Sequence, residues 1–481
     1  MSVTPQSGAT PHLAARFVEG SMMRHVAVMA ATGSIGLIAV FVVDLLNLFY
    51  ISLLGEAELA AAIGYAGTLM FFTTAVGIGV MIAGSAVVSR AIGAGRQEDG
   101  RRLSTSAIIY MVLATAAMSV LAIAVLGPLL RLLGASGRTL EIAHDFLLVV
   151  LPSTPLLGIG MAASGVLRAI GDARRSMWVT LGGGLVTAVL DPLLILGLGM
   201  GVEGAAIVSV VSRCVMAAYG LYAVVRIHDL AARPSLKAFL GDIRPLSAIA
   251  VPAILTNVAT PVGNAYITFA LATHGDTAVA AWAVIGRVIP VAFGPLFALT
   301  GAIGPIIGQN VGAGRFERVR MALMDSLKLT LIYVGTMWAV LALARHLIAQ
   351  SFGLSGEGVD LVAFFCLFAA GSFIFLGALF VANAAFNNLG APLLSTVFNW
   401  GRATLGTIPF VWLGGRMAGA EGVLAGQALG AVAFGVLALI FAFRLVGRLA
   451  SGYRPPPCEP VVAGTELPAL SRAEDATAIE P

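Results

Sequence analysis

AIGAGR at Ala91–Arg96 returns as NVGAGR at Asn310–Arg315, 219 positions later. RAIGDA at Arg168 returns as NNLGAP at Asn387, again 219 on, and GVEGAA at Gly201 as GAEGVL at Gly419, 218 on. One such match could arise by chance in a Gly- and Ala-rich chain. Three in one register indicate duplication of a whole structural unit. Apolar runs surround every copy, and the chain is 59% hydrophobic and 11% charged, with a mean hydropathy of +0.96. That is more apolar surface than a soluble core of 481 residues could hide, so the solvent is lipid. The 57 glycines suit membrane helices, which approach closely and bend at small residues.

A spanning helix needs ~20 mostly apolar residues. Apolar runs between charged or Gly/Pro breaks predict six at roughly 25–53, 58–91, 104–127, 146–170, 177–198 and 204–226. After the polar segment Arg226–Pro245, six more follow at roughly 246–273, 278–309, 321–344, 361–388, 394–415 and 422–447. A repeat unit with an even number of spans enters twice from the same side. The expected fold is an all-α integral membrane protein, its twelve transmembrane helices forming two six-helix bundles related by a pseudo-twofold axis along the membrane normal. The corresponding organisation is a tail at 1–23, an N-lobe at 24–226, a linker at 227–245, a C-lobe at 246–449 and a tail at 450–481 whose composition reads as disordered.

Basic residues sort by loop. Arg96, Arg101, Arg102, Arg174, Arg175, Arg315, Arg318 and Arg320 follow the second, fourth and eighth spans, and the linker and tail add Arg226, Arg233, Lys237, Arg244, Arg444, Arg448 and Arg454. The opposite side has only Arg131, Arg138, Arg345 and Arg416. By the positive-inside rule both termini face the cytoplasm of a bacterial-type inner membrane. The same placement accounts for the net charge of +4 without a nucleic-acid partner. Residues 1–23 lack the basic end, apolar core and cleavage site of a signal peptide. Cys214, Cys366 and Cys458 have no metal-ligand spacing and read as free thiols. His25, His144, His274 and His346 scatter at span ends, which assembles no enzyme site. The GAGR turns do not continue as a phosphate loop and read as helix C-caps. With no nucleotide site or other cofactor expected, energy comes from an ion gradient or the solute's own.

Charge at mid-membrane costs ~2.5–3.5 kcal/mol on insertion scales and usually marks function. Two carboxylates lie deep in spans: Asp44 in FVVDLLNLFY of the first and Asp191 in AVLDPLLI of the fifth. Asn47 shares the Asp44 face at i+3, with Tyr50 nearby, and adds oxygens for a proton or cation. Pro192 removes a backbone donor after Asp191, and Thr187 lies one turn before it. A carboxylate can also merely hydrogen-bond across helices for packing. Under the repeat, however, Asp44 falls near Gly263 and Asn264, and Asp191 near Pro409, so neither charge is duplicated. The asymmetry points to a specialised N-terminal site for proton or sodium. Asp325 and Lys328 read as a surface helix pair. Of the arginines in spans, Arg213 is expected to pair with a carboxylate or reach the headgroups, and Arg287 to line the cavity or pair with carbonyls. Arg402 is the third.

The VVD segment at Asp44, VVSRAIGAGR ending the second span, LRAIGD after the fourth, LDPLLI in the fifth and GQNVGAGR after the eighth together resemble the multidrug and toxic compound extrusion (MATE) family, from about Arg24 to Leu449. The resemblance implies a V-shaped two-lobe fold, alternating access and export driven by inward proton or sodium flow. Within the family the chain resembles the DinF-like branch, whose cation site lies in the N-terminal lobe; Asp44 and Asp191 match that branch's carboxylates. Where the branch commonly has Asn a turn before the fifth-span Asp, this chain has Thr187; Ser209 stands at the place of a sixth-span Thr and Ser164 roughly at that of a fourth-span Asn. Hydroxyls offer less to sodium than amides do, which shifts the expectation towards protons. Other branches carry acids in the seventh and tenth spans. Here those spans offer Asn257, Asn264, Asn383, Asn387 and Asn388 instead, and Asn257, Asn264 and Asn383 join Tyr50 and Arg287 as the expected cavity lining.

The function expected is therefore a multidrug antiporter exporting amphipathic or cationic organic solutes in exchange for protons or sodium, working as a monomer in the lipid bilayer without nucleotide. A lipid-linked glycan flippase of similar architecture is the main rival, and a non-transporting membrane enzyme or channel the second.

Overall fold

The computed structural model describes residues 15–52 and 57–452; the side chains of residues 44, 45, 48, 49, 51, 52, 57 and 60 lie outside the described set. The proline-rich tail from Tyr453 and most of the expected N-terminal tail also lie outside it.

Every regular element among the described residues is helical. The first three spans are α1 (Met22–Ser52), α2 (Ala57–Gly93) and α3 (Gln97–Ala124). A short α4 (Leu126–Leu132) leads to the fourth span, which is split into α5 (Gly137–Val150) and α6 (Thr154–Ala169) by a 3-10 turn at Leu151–Ser153, where Pro152 and Pro155 remove two backbone donors. The fifth is α7 (Ala173–Asp191), running into a π-helical turn at Pro192–Gly197, and the sixth is α8 (Gly201–Tyr222). In the second half, α9 (Leu236–Ala272), α10 (Asp276–Gly312) and α11 (Phe316–Ser351) are continuous. The tenth span is again split, into α12 (Glu357–Leu367) and α13 (Phe373–Asn388), at the equivalent place, Ala369–Ser372. Last come α14 (Pro392–Ala403) and α15 (Ile408–Ala450).

The final apolar segment, Pro392–Ala450, has 59 residues. At 1.5 Å per residue it would measure about 90 Å, three bilayer cores, so it cannot be one span. Ala418 (φ −142°) and Gly419 (φ 59°) leave helical backbone and divide it; Gly201 breaks the first half in the same way, with φ 55°. The eleven apolar segments long enough to cross thus hold the twelve expected spans. The GAGR turns are Schellman caps: Arg96 N–H donates to Ala91 O (3.0 Å) and Gly95 N–H to Ile92 O (3.0 Å), repeated by Arg315 to Asn310 (2.8 Å) and Gly314 to Val311 (3.0 Å). Gly95 and Gly314 hold the left-handed conformation this needs, with φ 75° and 69°.

The expected linker is coil only over 228–235. From Leu236 it is the opening of α9, docked on α3: Arg102 Nη1 lies 3.0 Å from Asp242 Oδ1, and Ser106 Oγ donates to Asp242 Oδ2 at 2.7 Å. The polar residues that read as a break lie on a helix, where Asp242, 3% exposed, is turned onto α3.

The lobes meet symmetrically, α1 on α10 and α2 on α9, with α2 and α10 crossing between them. At the end of the molecule that carries Met22 the crossing is backbone on backbone: a Cβ at Gly93 would strike Gln309, and one at Gly312 would strike Arg90, its mate contact. Packing does not follow the expected lobe boundaries at 24–226 and 246–449. Met22, Val26, Met29 and Ala30 at the start of α1 share a core with Phe293 and Val319 of the second half. Leu246, Ile249 and Ala250 at the start of α9 share one with Val80, Met111 and Leu167 of the first. The opening turns of α1 and α9 are exchanged.

Candidate functional site

Glycine sets the geometry of the fifth span. A Cβ at Gly183 would crowd Met216 and sit 3.1 Å from Ser212 Oγ, and Gly184 faces Val43 Cγ2 at 3.5 Å, so α8 and α1 both close on α7 here. Two turns further on, α7 ends at Asp191, which is 1% exposed. Asn47 Nδ2 on α1 donates to Asp191 Oδ2 at 2.9 Å. Oδ1 has no hydrogen-bond partner among the described residues. A buried acceptor left unpaired costs ~1–3 kcal/mol, which marks this oxygen as a place where a proton or cation can be received. The π-helical turn at Pro192–Gly197 follows at once, a distortion found often at functional sites. Asp44 stands one turn before Asn47 on α1, but its side chain lies outside the described residues. Tyr50 packs half-buried against the cluster of Ala62, Leu126 and Ile195.

The expected hydroxyl partners turn elsewhere. Thr187 Oγ1 donates to Gly183 O (3.1 Å) and Ser209 Oγ to Ala205 O (2.9 Å), each one turn back on its own helix. Ser164 is not brought to Asp191. Its hydroxyl lies 2.8 Å from Ser176 Oγ, fifteen residues before Asp191 on α7, about 22 Å away along the helix axis.

In the second half, Asn383, the mate of Ser164, keeps the equivalent cross-helix contact: its carbonyl accepts from Ser395 Oγ (3.4 Å), and its Oδ1 accepts from Asn399 Nδ2 (3.0 Å). Asn257 Nδ2 donates to Ala253 O at 2.8 Å. Asn264 and Arg287 are exposed. Among the described residues Arg213 pairs with no carboxylate, and it is buried, 6% exposed. Its Nη1 donates to Val150 O (2.7 Å) and Ser153 Oγ (2.9 Å), satisfying a carbonyl released by the break between α5 and α6. Arg402 Nη2 donates to Thr260 Oγ1 at 3.0 Å. Lys328 and Asp325 form the expected surface pair at 3.1 Å.

Two arrangements escaped the sequence. Phe17 N–H donates to Gln309 Oε1 (2.9 Å) and Phe17 O accepts from Asn310 Nδ2 and Arg318 Nη2 (both 3.1 Å), while Gln309 Nε2 donates to Ala169 O (2.7 Å) in the other half. The signal was the pair of amides in GQNVGAGR, both 0% exposed. Asp172 caps α7: its Oδ1 accepts from Arg175 N–H (3.0 Å), and its Oδ2 meets Arg175 Nη1 (2.6 Å) and His228 Nε2 (2.8 Å) from the linker. Burial alone would raise this carboxyl's pKa, but the hydrogen bonds from His228 and Arg175, with the charge of Arg175, together hold it well below the usual carboxylate range.

A family model described as MatE matches residues 34–193 and 252–413, the same stretch of each half. The chain is 29% identical to the FAD transporter of Shewanella oneidensis over 91% of its own length and 95% of that protein's. It is 24% identical to the multidrug export protein MepA of Staphylococcus haemolyticus, covering 90% of this chain and 96% of that one. A crystal structure of a mutant of the Vibrio cholerae MATE transporter VcmN superposes with a TM-score of 0.85 at 24% identity, covering 89% and 98% of the two chains.

Proposed function

Because the chain belongs to the MatE family of membrane transporters, we propose that it is a secondary antiporter which exports amphipathic or cationic organic solutes by alternating access, driven by a cation taken up at Asp191 and Asn47. The observation that carries this is the pairing of Asn47 with Asp191 across α1 and α7, with one buried carboxyl oxygen unpartnered among the described residues. The helix bearing Asn47 begins in the core of the other lobe. A change of partner at Asp191 is therefore felt by a helix that spans both lobes, which is how ion uptake can bias their arrangement.

Protons are the better-supported coupling ion. Sodium wants several oxygens, and the side chain bonded to Asp191 among the described residues, Asn47, is turned to it by its amide nitrogen and not by its oxygen. A proton needs one oxygen. Relatives named as a multidrug export protein and a FAD transporter are consistent with organic cargo carried unchanged. In this reading the chain works as a monomer of the DinF-like branch, with both termini in the cytoplasm of the inner membrane.

The test is to reconstitute the purified chain in liposomes and impose pH and sodium gradients separately. Movement of a fluorescent amphiphile is expected with the pH gradient alone. Equal movement with neither gradient would sink the antiport reading in favour of a facilitator or flippase.

A further inference from the structure

One pocket lies between α2 and α6 of the first half and α10 and α13 of the second, on the pseudo-twofold axis itself. Its wall is made of repeat mates: Ile82 with Gly301, Ser85 with Gly304, Arg168 with Asn387. The free space inside is about 20 Å³, enough for one small group and not for a whole ligand, and it lies between the two bundles, where a substrate path is expected.

The symmetry stops at charge. Arg168 is the only charged residue in the wall, and its mate is the neutral Asn387. Gly301 makes room for it: a Cβ there would sit 2.8 Å from Arg168 Nη1, where the mate of Gly301 is the bulky Ile82. Arg168 Nε donates to Ser164 O at 3.4 Å, and Nη2 to Ser164 Oγ at 3.2 Å and to Met81 Sδ at 3.1 Å. Thioether sulfur is a weak acceptor. No carboxylate pairs with Arg168 among the described residues, and Asp172, four residues on, is held by Arg175 and His228. A guanidinium half withdrawn from water without a counter-ion is costly.

The groups around it are also incompletely satisfied. Asn387, 2% exposed, accepts from Ser395 Oγ at 3.2 Å but donates nothing through Nδ2 to a described residue. The Oγ of Ser85 and the Oδ1 of Asn388, itself 2% exposed, are buried without partners. Guanidinium and amide N–H donors and a hydroxyl thus line one small space, with the Asn388 amide oxygen and the Ser85 hydroxyl oxygen as unpartnered acceptors.

We propose that this pocket receives an anionic group of the cargo, a phosphate or carboxylate carried on an amphipathic organic body, with Arg168 as its counter-ion. A guanidinium binds such oxyanions through parallel charge-assisted hydrogen bonds. The inference rests on the transport reading above and narrows its cargo to organic anions.

The test is binding to the full-length chain in detergent, which needs no gradient, using a fluorescent pair that differs by one phosphoryl group: riboflavin and riboflavin 5′-phosphate. The phosphate form should bind about tenfold more tightly or better, the worth of a charge-assisted hydrogen bond. Arg168→Gln should erase that preference and Arg168→Lys keep part of it. Asn387→Asp, which can still accept from Ser395, should erase it too by placing a negative charge opposite Arg168, so the test survives if Arg168→Gln fails to fold. Inorganic phosphate at the same concentration should not displace the probe; displacement would reduce the pocket to a small-anion site and overturn the proposal. No preference in the wild type, whether both probes bind or neither does, overturns it, as does a preference that persists in Arg168→Gln or Asn387→Asp. Loss of gradient-driven movement with the preference intact would count against the antiport reading and leave this one standing.

Discussion

The first half of the chain ends α7 at a buried carboxyl, whereas the second half has Pro409 and Phe410 at that position, just past a break between α14 and α15. Elsewhere the halves agree closely. Ser164 Oγ donates to Ser176 O across helices and, between their mates, Ser395 Oγ donates to Asn383 O, while Gly93 meets Gln309 as Gly312 meets Arg90. The duplication has been kept where backbones must approach or end, and has diverged where buried charge is used. Geometry is shared; electrostatic work is divided.

That contrast can be broken most sharply at Asp191. Asp191→Asn should bring gradient-driven transport in proteoliposomes down to the level of empty liposomes while the protein remains monodisperse; residual coupled transport would move the cation site elsewhere. Asn47→Leu removes the one described donor to Asp191 and should lower coupled transport by about tenfold, the worth of a hydrogen bond to a charged group. At the crossing of α2 and α10 the halves should instead behave alike. Gly93→Val and Gly312→Val each drive a side chain into facing backbone and should each cost about 1–3 kcal/mol, read from thermal unfolding in detergent. A large effect from one and none from the other would contradict the symmetry.

A smaller difference separates the helix caps. Asp172 caps α7, whereas its mate Ala391 has no side-chain acceptor. Asp172→Ala should cost about 1–2 kcal/mol. Since the folded carboxyl titrates below its unfolded value, that contribution is complete above pH ~4, the ordinary carboxylate range, and declines only as the pH falls through the folded value. The gap in melting temperature between wild type and variant should be level from pH 8 to about pH 5 and narrow only in stronger acid. The smallest effects belong to Thr187→Val and Ser209→Ala. Each removes a hydroxyl bonded to its own helix and should leave stability within about 0.5 kcal/mol and coupled transport unchanged. A clear loss of transport would restore these hydroxyls to the cation site.

The spans, their pairing into halves and the GAGR caps were legible because membrane length, a fixed offset and a glycine–arginine ending are each written in consecutive residues. Asp191 and Asn47 were legible for a related reason: polar groups stand out in an apolar run. Matching by position places a residue on a helix but does not say how far along its neighbour it lies, which is how Ser164 came to be grouped with a carboxyl about 22 Å away. Nor does it say where a hydroxyl turns, and in an apolar helix the carbonyl one turn back is the nearest acceptor. Arg168 was hidden by its place at the end of a span next to a basic loop, where it read as part of a repeat and not as a half-buried charge. The exchanged starts of α1 and α9 left no trace, since periodicity tells that a face is buried but not against what.

That exchange bears on how the chain is made. The opening turns of α1 pack on α10 and α11, whose packing residues Phe293 and Val319 lie some 300 positions further along. At ~5–20 residues per second, the first helix waits about 15–60 s in the bilayer before the surface that receives it has been synthesised. Cut at the linker, each half would keep one side of the bed for its first helix, α7 for α1 and α14 for α9, and lose the side on which that helix opens. The covalent join thus keeps each half beside the arm it must hold, and the opening turns of α1 cannot be packed until the C-terminal bundle has arrived.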